Sequence, residues 1–258
     1  MTSINSEALI KVENLNHIYS TRTGKVKALD SISFEVKKGE FFIILGPSGC
    51  GKSTLLKVIS GLLSPTEGEV SVAGKRVEQP LENIGMVFQT PNLLKWCTVL
   101  QNVLLPVNAL GLPVKDYMDK AMELLKLVGL NGFENKYPRE LSGGMQQRVS
   151  IARALILDPD LLLMDEPFGA LDAITRDEMN FELLRIWQEK QKTIVFITHG
   201  INEAVLMADS VLVMTQRPAR IAKIIPIDLE RPRTVETRAS KAFGEYVVDI
   251  YKMMGLAR

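Results

Sequence analysis

The sequence is poor in several things at once. It has two cysteines, Cys50 and Cys97, too few for a disulfide framework, so a reducing intracellular setting is the default expectation. It has almost no net charge, 31 Lys+Arg against 30 Asp+Glu, and so lacks the surplus of cations that sequence-independent nucleic-acid binding requires. Aromatic residues are 6% of the chain and histidine occurs twice. No apolar run approaches the ~18–20 residues needed to span a bilayer. The polar start, MTSINSEALIKVE, does not read as a signal peptide. What is present is ordinary globular material: 258 residues, 46% of them hydrophobic, enough for a sizeable core.

Short apolar runs alternate with helical periodicities, the pattern of an α/β protein. Residues 41–45 (FFIIL), 161–164 (LLLM) and 193–198 (TIVFIT) read as buried strands. Residues 10–12, 32–36 and 69–73 read as more exposed, antiparallel-type strands. A helix is expected over 115–128, with Met118, Ala121, Met122, Leu125 and Val128 on one face. Further helices are expected after Gly144, over 173–190, over 201–208, and at 239–253. The stretch 90–150 reads as almost purely helical, a subdomain inserted in an α/β core made of 1–89 and 151–238, with 239–258 as a helical tail.

Directly after FFIIL stands Gly46-Pro47-Ser48-Gly49-Cys50-Gly51-Lys52-Ser53-Thr54, which matches G-x-x-x-x-G-K-[ST] between a strand and a helix start. Glycines let the backbone curl so that successive N–H groups face a phosphate, and the helix N-terminus adds its positive end. Lys52 supplies a point charge to the β- and γ-phosphates, and the Ser53 hydroxyl is a ligand for Mg²⁺. The chain therefore reads as a nucleotide-binding protein. Cys50 is a small filler inside the loop. At the end of the strand at 161–164, Asp165 and Glu166 face the crevice where such sheets bind ligands. Asp165 is placed to hold Mg²⁺ through its water shell, and Glu166 to activate the attacking water.

The segment Leu141-Ser142-Gly143-Gly144-Met145-Gln146-Gln147-Arg148 resembles the LSGGQ signature of ABC-type ATPases. The resemblance runs from about residue 9 to 227 and implies a P-loop NTPase (RecA-like) core with an antiparallel β subdomain and an inserted α-helical subdomain. It also implies that Ser142 and the Gly143 and Gly144 amides receive the γ-phosphate of ATP held by a second copy. By the same resemblance Tyr19 stacks on adenine, and Gln89 approaches Mg²⁺ and the attacking water. Asp172, after Leu171, crosses a dimer interface, and His199 contacts the γ-phosphate. His17 matches no motif and is expected on the surface. Three positions depart from the family pattern: Met145 in the signature, Gly200 in place of an acid after His199, and Cys97.

Within that family the chain resembles the ATPase subunits of bacterial nitrate, sulfonate and taurine importers. The residues that carry this are Asn92-Leu93-Leu94-Lys95-Trp96, 98–103, Arg217-Pro218-Ala219-Arg220-Ile221 and Glu230-Arg231-Pro232-Arg233. The resemblance implies a homodimer under two membrane-spanning permease subunits, a separate solute-binding protein, ATP and Mg²⁺ as cofactors, and a peripheral place on the cytoplasmic side of the inner membrane. No nucleic-acid partner is expected. Leu94 and Trp96 are the candidate permease contacts, against the alternative that Trp96 packs inside the helical subdomain. Bicarbonate or a pyrimidine precursor stay open as solutes. A soluble, non-transport ATPase of the same family and a nucleotide-binding module without turnover stay open as functions.

Overall fold

Two strands of 14 residues open the chain, β1 (Ala8–Thr21) and β2 (Gly24–Lys37), and pair antiparallel. The computed structural model describes residues 8–21 and 24–255. From Phe34 to Lys37 strand β2 alternates buried and exposed side chains, as one solvated sheet face requires. The alternation fails at Leu15, Asn16 and His17 of β1, all three buried, because register shifts on either side of Leu15 and after His17 bulge the strand. His17, expected at the surface, is therefore only 6% exposed.

Next come β3 (Phe41–Leu45), α1 (Lys52–Ile59), β4 (Glu67–Val72) and the two-residue β5 (Lys75–Arg76). A four-stranded antiparallel sheet runs β2-β1-β4-β5. β6 (Ile84–Val87) pairs parallel with β7 (Leu161–Asp165). Between them lie only helices and loops: α2 (Val99–Val103), α3 (Leu105–Ala109), α4 (Met118–Leu127) and α5 (Gly143–Leu155). The 18-residue α6 (Ala173–Lys190) follows β7. β8 (Thr193–Thr198) and β9 (Ser210–Met214) flank β3 in parallel, with α7 (Ile201–Met207) between them, and β10 (Ile221–Pro226) adds antiparallel to β9. β3 has a parallel neighbour on each side and its side chains are buried on both faces of the sheet, which explains an apolar run without alternation. The chain ends with α8 (Val235–Arg238) and α9 (Lys241–Met253), the latter capped by Ser240; residues 256–258 of the expected tail lie outside the described residues.

Contacts divide the protein into two units, Asn83–Lys192 and the chain on either side of it. The helix expected over 115–128 is shorter than its periodicity suggests. Residues Val114–Tyr117 form a 3₁₀ turn after Pro113, and α4 begins at Met118. Its buried stripe is Ala121, Leu124 and Leu125, continued by Val128. That stripe is rotated toward Leu124, so Met118 and Met122 fall on its rim and are exposed.

Arg233 is a buried cation of the first unit, 4% exposed. Its guanidinium donates to the carbonyls of Val205, Leu206, Ala208, Ile227 and Leu229, closing the C-terminal end of α7. Burial pulls its pKa down to about 10. Arg231 adds a bond to the Met207 carbonyl at 2.8 Å and an ion pair with Asp209 at 2.7 Å.

Candidate ATP-binding and hydrolysis site

The candidate phosphate loop joins β3 to α1 within the first unit. Gly49 and Gly51 hold φ values of +72° and +132°, which a side-chain-bearing residue would adopt only under strain. Gly51 also stands close to β2: a Cβ there would come within 3.1 Å of the Ala28 carbonyl. Lys52 begins α1 and is 4% exposed, and its ammonium donates to the carbonyls of Gly46 at 2.9 Å and Pro47 at 3.0 Å. The cation is thus fixed against its own loop at the positive end of a helix. Ser53 faces outward beside it. The Cys50 thiol is buried, and burial pushes its pKa up, in keeping with a filler rather than a nucleophile.

Tyr19 reaches this loop from β1, its hydroxyl 3.1 Å from Thr54 Oγ1. It is 37% exposed, and the His17 ring stands edge-on behind it at 4.5 Å between centroids. His199 is exposed at the end of β8. With glycine at position 200, the turn into α7 is held by Thr198, whose hydroxyl accepts the Gly200 N–H at 2.9 Å and donates to the Glu203 carboxylate.

The second unit carries the other candidates. Glu166 follows the last residue of β7 in the left-handed region, φ +44°, a conformation that costs a non-glycine residue of order 1–3 kcal/mol and is found where a site holds it. Gln89 and Glu166 are brought together over Gly169. A Cβ on that glycine would stand 3.1 Å from Gln89 Nε2 and 3.7 Å from Glu166 Oε2. Sequence reasoning passed over Gly169, because its role arises from the approach of a residue 80 positions away. The loop carrying Gln89 is tied to α5 from two places: Gln147 donates to the Phe88 carbonyl at 3.1 Å, and Arg153 to those of Pro91 and Asn92 at 2.7 and 3.0 Å.

Ser142 is the N-cap of α5, accepting the Met145 N–H at 3.3 Å, and both Ser142 and Gly143 are exposed. The helix therefore offers an open N-terminus with small residues. Met145 contributes its amide, not its side chain, to that cap. Asp172 caps α6, accepting from the amides of Ile174 and Thr175 at 3.1 Å and from the Thr175 hydroxyl at 2.7 Å, and the Thr175 bond holds its carboxyl below the ordinary range. Trp96 is 75% exposed, so it is not packed inside the helical region.

Taken unit by unit, the first offers a metal the Ser53 hydroxyl and the second the Asp165 carboxylate and the Gln89 amide oxygen, all hard oxygens. Among the described residues no three His, Cys, Asp or Glu side chains cluster into an all-protein cage. Oxygen donors of this kind suit Mg²⁺, which takes one or two protein oxygens and fills its octahedron with phosphate oxygens and water.

A family model for the ABC transporter matches residues 29–169. This chain belongs to the ABC transporter family. An ABC transporter ATP-binding protein of Methanocaldococcus jannaschii is 52% identical over 92% of the chain and 88% of its own length. The aliphatic sulfonates import ATP-binding protein of Bacillus cereus is 42% identical over 96% of the chain and 97% of its own length. The bicarbonate transport ATP-binding protein of a Synechocystis is 44% identical over 88% and 81% respectively. Among solved structures, a dimeric ATP-binding cassette in a post-hydrolysis state, bound to ADP and Pi, is 34% identical with a TM-score of 0.75, covering 86% of this chain and all of that one. The expected family and the P-loop NTPase fold hold. As an ABC ATPase the protein binds ATP and hydrolyses it to ADP and phosphate. Among the described residues no helix is long and apolar enough to cross a membrane.

Proposed function

We propose that this protein is the ATP-hydrolysing subunit of an importer for a small anion of the nitrate, sulfonate or taurine kind. It works as a head-to-tail homodimer docked under two membrane-spanning permease subunits on the cytoplasmic face of the inner membrane. A separate solute-binding protein delivers the solute to the permease. The observation that carries the subgroup is the likeness to a sulfonate importer's ATP-binding protein over 96% of the chain. A bicarbonate transport relative at 44% identity keeps that solute as the second reading.

In each half-site Lys52 and the loop amides bind the β- and γ-phosphates, and Tyr19 stacks on the adenine. Ser53 and Asp165 hold Mg²⁺, with Gln89 near it. When bound, that ion neutralises charge on the phosphates. Glu166 takes a proton from the attacking water, and Gln89 and His199 register the γ-phosphate. The exposed Ser142 and Gly143 of the second copy, with the Gly144 amide behind them, complete the cradle, with Asp172 at the seam. Leu94 and Trp96 meet the permease.

Two experiments test this reading. Glu166→Gln should keep ATP binding, lose turnover by at least a hundredfold, and elute as an ATP-dependent dimer in size-exclusion chromatography. Wild-type hydrolysis by that variant would remove Glu166 from the base role. For the solute, a gene deletion should abolish growth on an aliphatic sulfonate as sole sulfur source. Growth unchanged there but lost at low bicarbonate would favour the second reading.

A further inference from the structure

The segment between β9 and β10, residues 215–220, grips the phosphate loop from outside. It closes on itself through the Thr215 N–H to the Arg220 carbonyl at 2.9 Å and the Arg220 N–H to Thr215 Oγ1 at 3.0 Å. It is then sewn to β2. The Ala219 N–H donates to the Ala28 carbonyl at 3.0 Å, and the Asp30 N–H to the Ala219 carbonyl at 2.9 Å. The Arg220 guanidinium meets the Asp30 carboxylate through two nitrogens, at 2.5 and 2.6 Å, and Lys27 takes that carboxylate's other oxygen. Asp30 is 7% exposed while the Arg220 side chain is 68% exposed, so the carboxylate is shielded from water and its partner reaches solvent.

From this anchored segment Arg217 extends to the loop and donates to the Gly49 carbonyl at 2.7 Å, across 168 residues of sequence. Gly49 carries the φ of +72° that lets the loop curl. In a trans peptide the carbonyl and the following N–H point in opposite directions, so a cation that fixes the Gly49 oxygen on one side directs the Cys50 N–H to the other. That N–H is held within the loop only by a long bond, 3.3 Å, to the Pro47 carbonyl, beyond the usual range for N–H···O. It is a donor that a phosphate oxygen can take over. A positive partner on the carbonyl also polarises the peptide and makes its N–H a stronger donor.

We propose that Arg217 is a positioning residue for ATP, fixing the Gly49–Cys50 peptide of the phosphate loop from outside while the Arg220–Asp30 pair holds its segment in place. This rests on the reading of 46–54 as the loop that holds the ATP phosphates. It assigns a role to a stretch that otherwise only resembles a subgroup motif.

The test is steady-state ATP hydrolysis by the purified full chain, with KM and kcat separated. Arg217→Ala should raise KM for ATP about three- to tenfold, the loss expected for one charge-assisted hydrogen bond at an exposed position, with kcat changed less than about twofold. Arg217→Lys should recover most of that loss, because an ammonium also donates to a carbonyl. The nucleotide-free thermal midpoint should stay within about 2 °C of wild type, since an exposed contact contributes little to folding. Lys52→Ala serves as the reference and should abolish nucleotide binding. If Arg217→Ala leaves KM unchanged while Lys52→Ala abolishes binding, the positioning role is wrong and the loop reading stands. If neither variant alters ATP binding, the loop reading fails and takes this proposal with it. A KM increase accompanied by an equal fall in the nucleotide-free midpoint, without rescue by lysine, would mean general loosening and would also overturn it.

Discussion

Asn102 in α2 offers a direct measure of how the surface carrying Trp96 is built. It is fully buried and its side chain is bonded on every side. Its oxygen accepts the Leu94 N–H at 2.8 Å, and its amide nitrogen donates to the carbonyls of Leu94, Cys97 and Thr98 at 3.1, 3.1 and 2.9 Å. The Thr98 and Leu94 carbonyls have second donors, the backbone amides of Asn102 and Cys97. Asn102→Ala therefore strands chiefly two groups, the Leu94 N–H and the Cys97 carbonyl. At about 1–3 kcal/mol for each buried group left unpaired, and with water able to enter beside exposed Lys95 and Trp96, the expected cost is about 2–4 kcal/mol. For a chain of this size that is a fall of roughly 5–15 °C in thermal midpoint. Asn102→Asp should be worse than alanine, because a carboxylate oxygen would face three carbonyl oxygens. The assay is urea unfolding followed by tryptophan fluorescence in a Trp187→Phe background, so that Trp96 alone reports the loop. A loss below about 0.5 kcal/mol for the alanine variant would refute the reasoning, as would an aspartate variant as stable as wild type.

Two further outcomes follow from the geometry. Gly169→Ala places a Cβ 3.1 Å from Gln89 Nε2, so the glutamine must move by a few tenths of an ångström; kcat should fall about tenfold with KM for ATP little changed, and an unaltered kcat would separate Gln89 from the hydrolytic step. Asp30 is held below its ordinary pKa, first by the Lys27 hydrogen bond and then by Arg220, so its stabilisation is complete above about pH 4 and is lost as pH falls through the lowered folded value. The gap in thermal midpoint between wild type and Asp30→Asn should therefore be full at pH 6 and close in acid. A gap undiminished at about pH 2 would contradict the ion pair.

What could be read from the sequence is what depends on neighbours in the chain. β3 and β8 are apolar runs whose bounds the structure keeps, and α6 begins where Asp172 supplies a cap. The motif loops were legible because the work proposed for them falls to backbone N–H groups, which demand glycine and small residues at fixed spacing. His17 was misplaced because a bulge is set by how two strands register, which neither strand states alone. Met118 and Met122 were assigned to the buried face because periodicity gives the width of an apolar stripe but not the direction from which the core approaches it.

A common logic links the residues that sequence reading missed. A loop that binds phosphate with its amides must leave its carbonyls facing away, and those carbonyls need donors. Here the donors are long polar side chains from elsewhere. Arg217 serves the phosphate loop, Gln147 and Arg153 the Gln89 loop, and Arg176 the turn after Glu166, through the carbonyls of Phe168 and Leu171 at 3.2 and 2.8 Å. Asn102 does the same for the loop below Trp96. Each of these acts on a carbonyl, so no residue type is demanded at the receiving end, and the pairing leaves no local mark in the sequence. The near-neutral charge of the chain takes on a structural meaning from this. Arg153, Arg176, Arg217 and Arg233 have carbonyls as their bonding partners, so several of its cations shape backbone instead of forming a basic surface. In the proposed site the nucleotide's negative charge would then fall to Lys52, the helix ends and the aligned amides, beside carbonyls that those arginines hold.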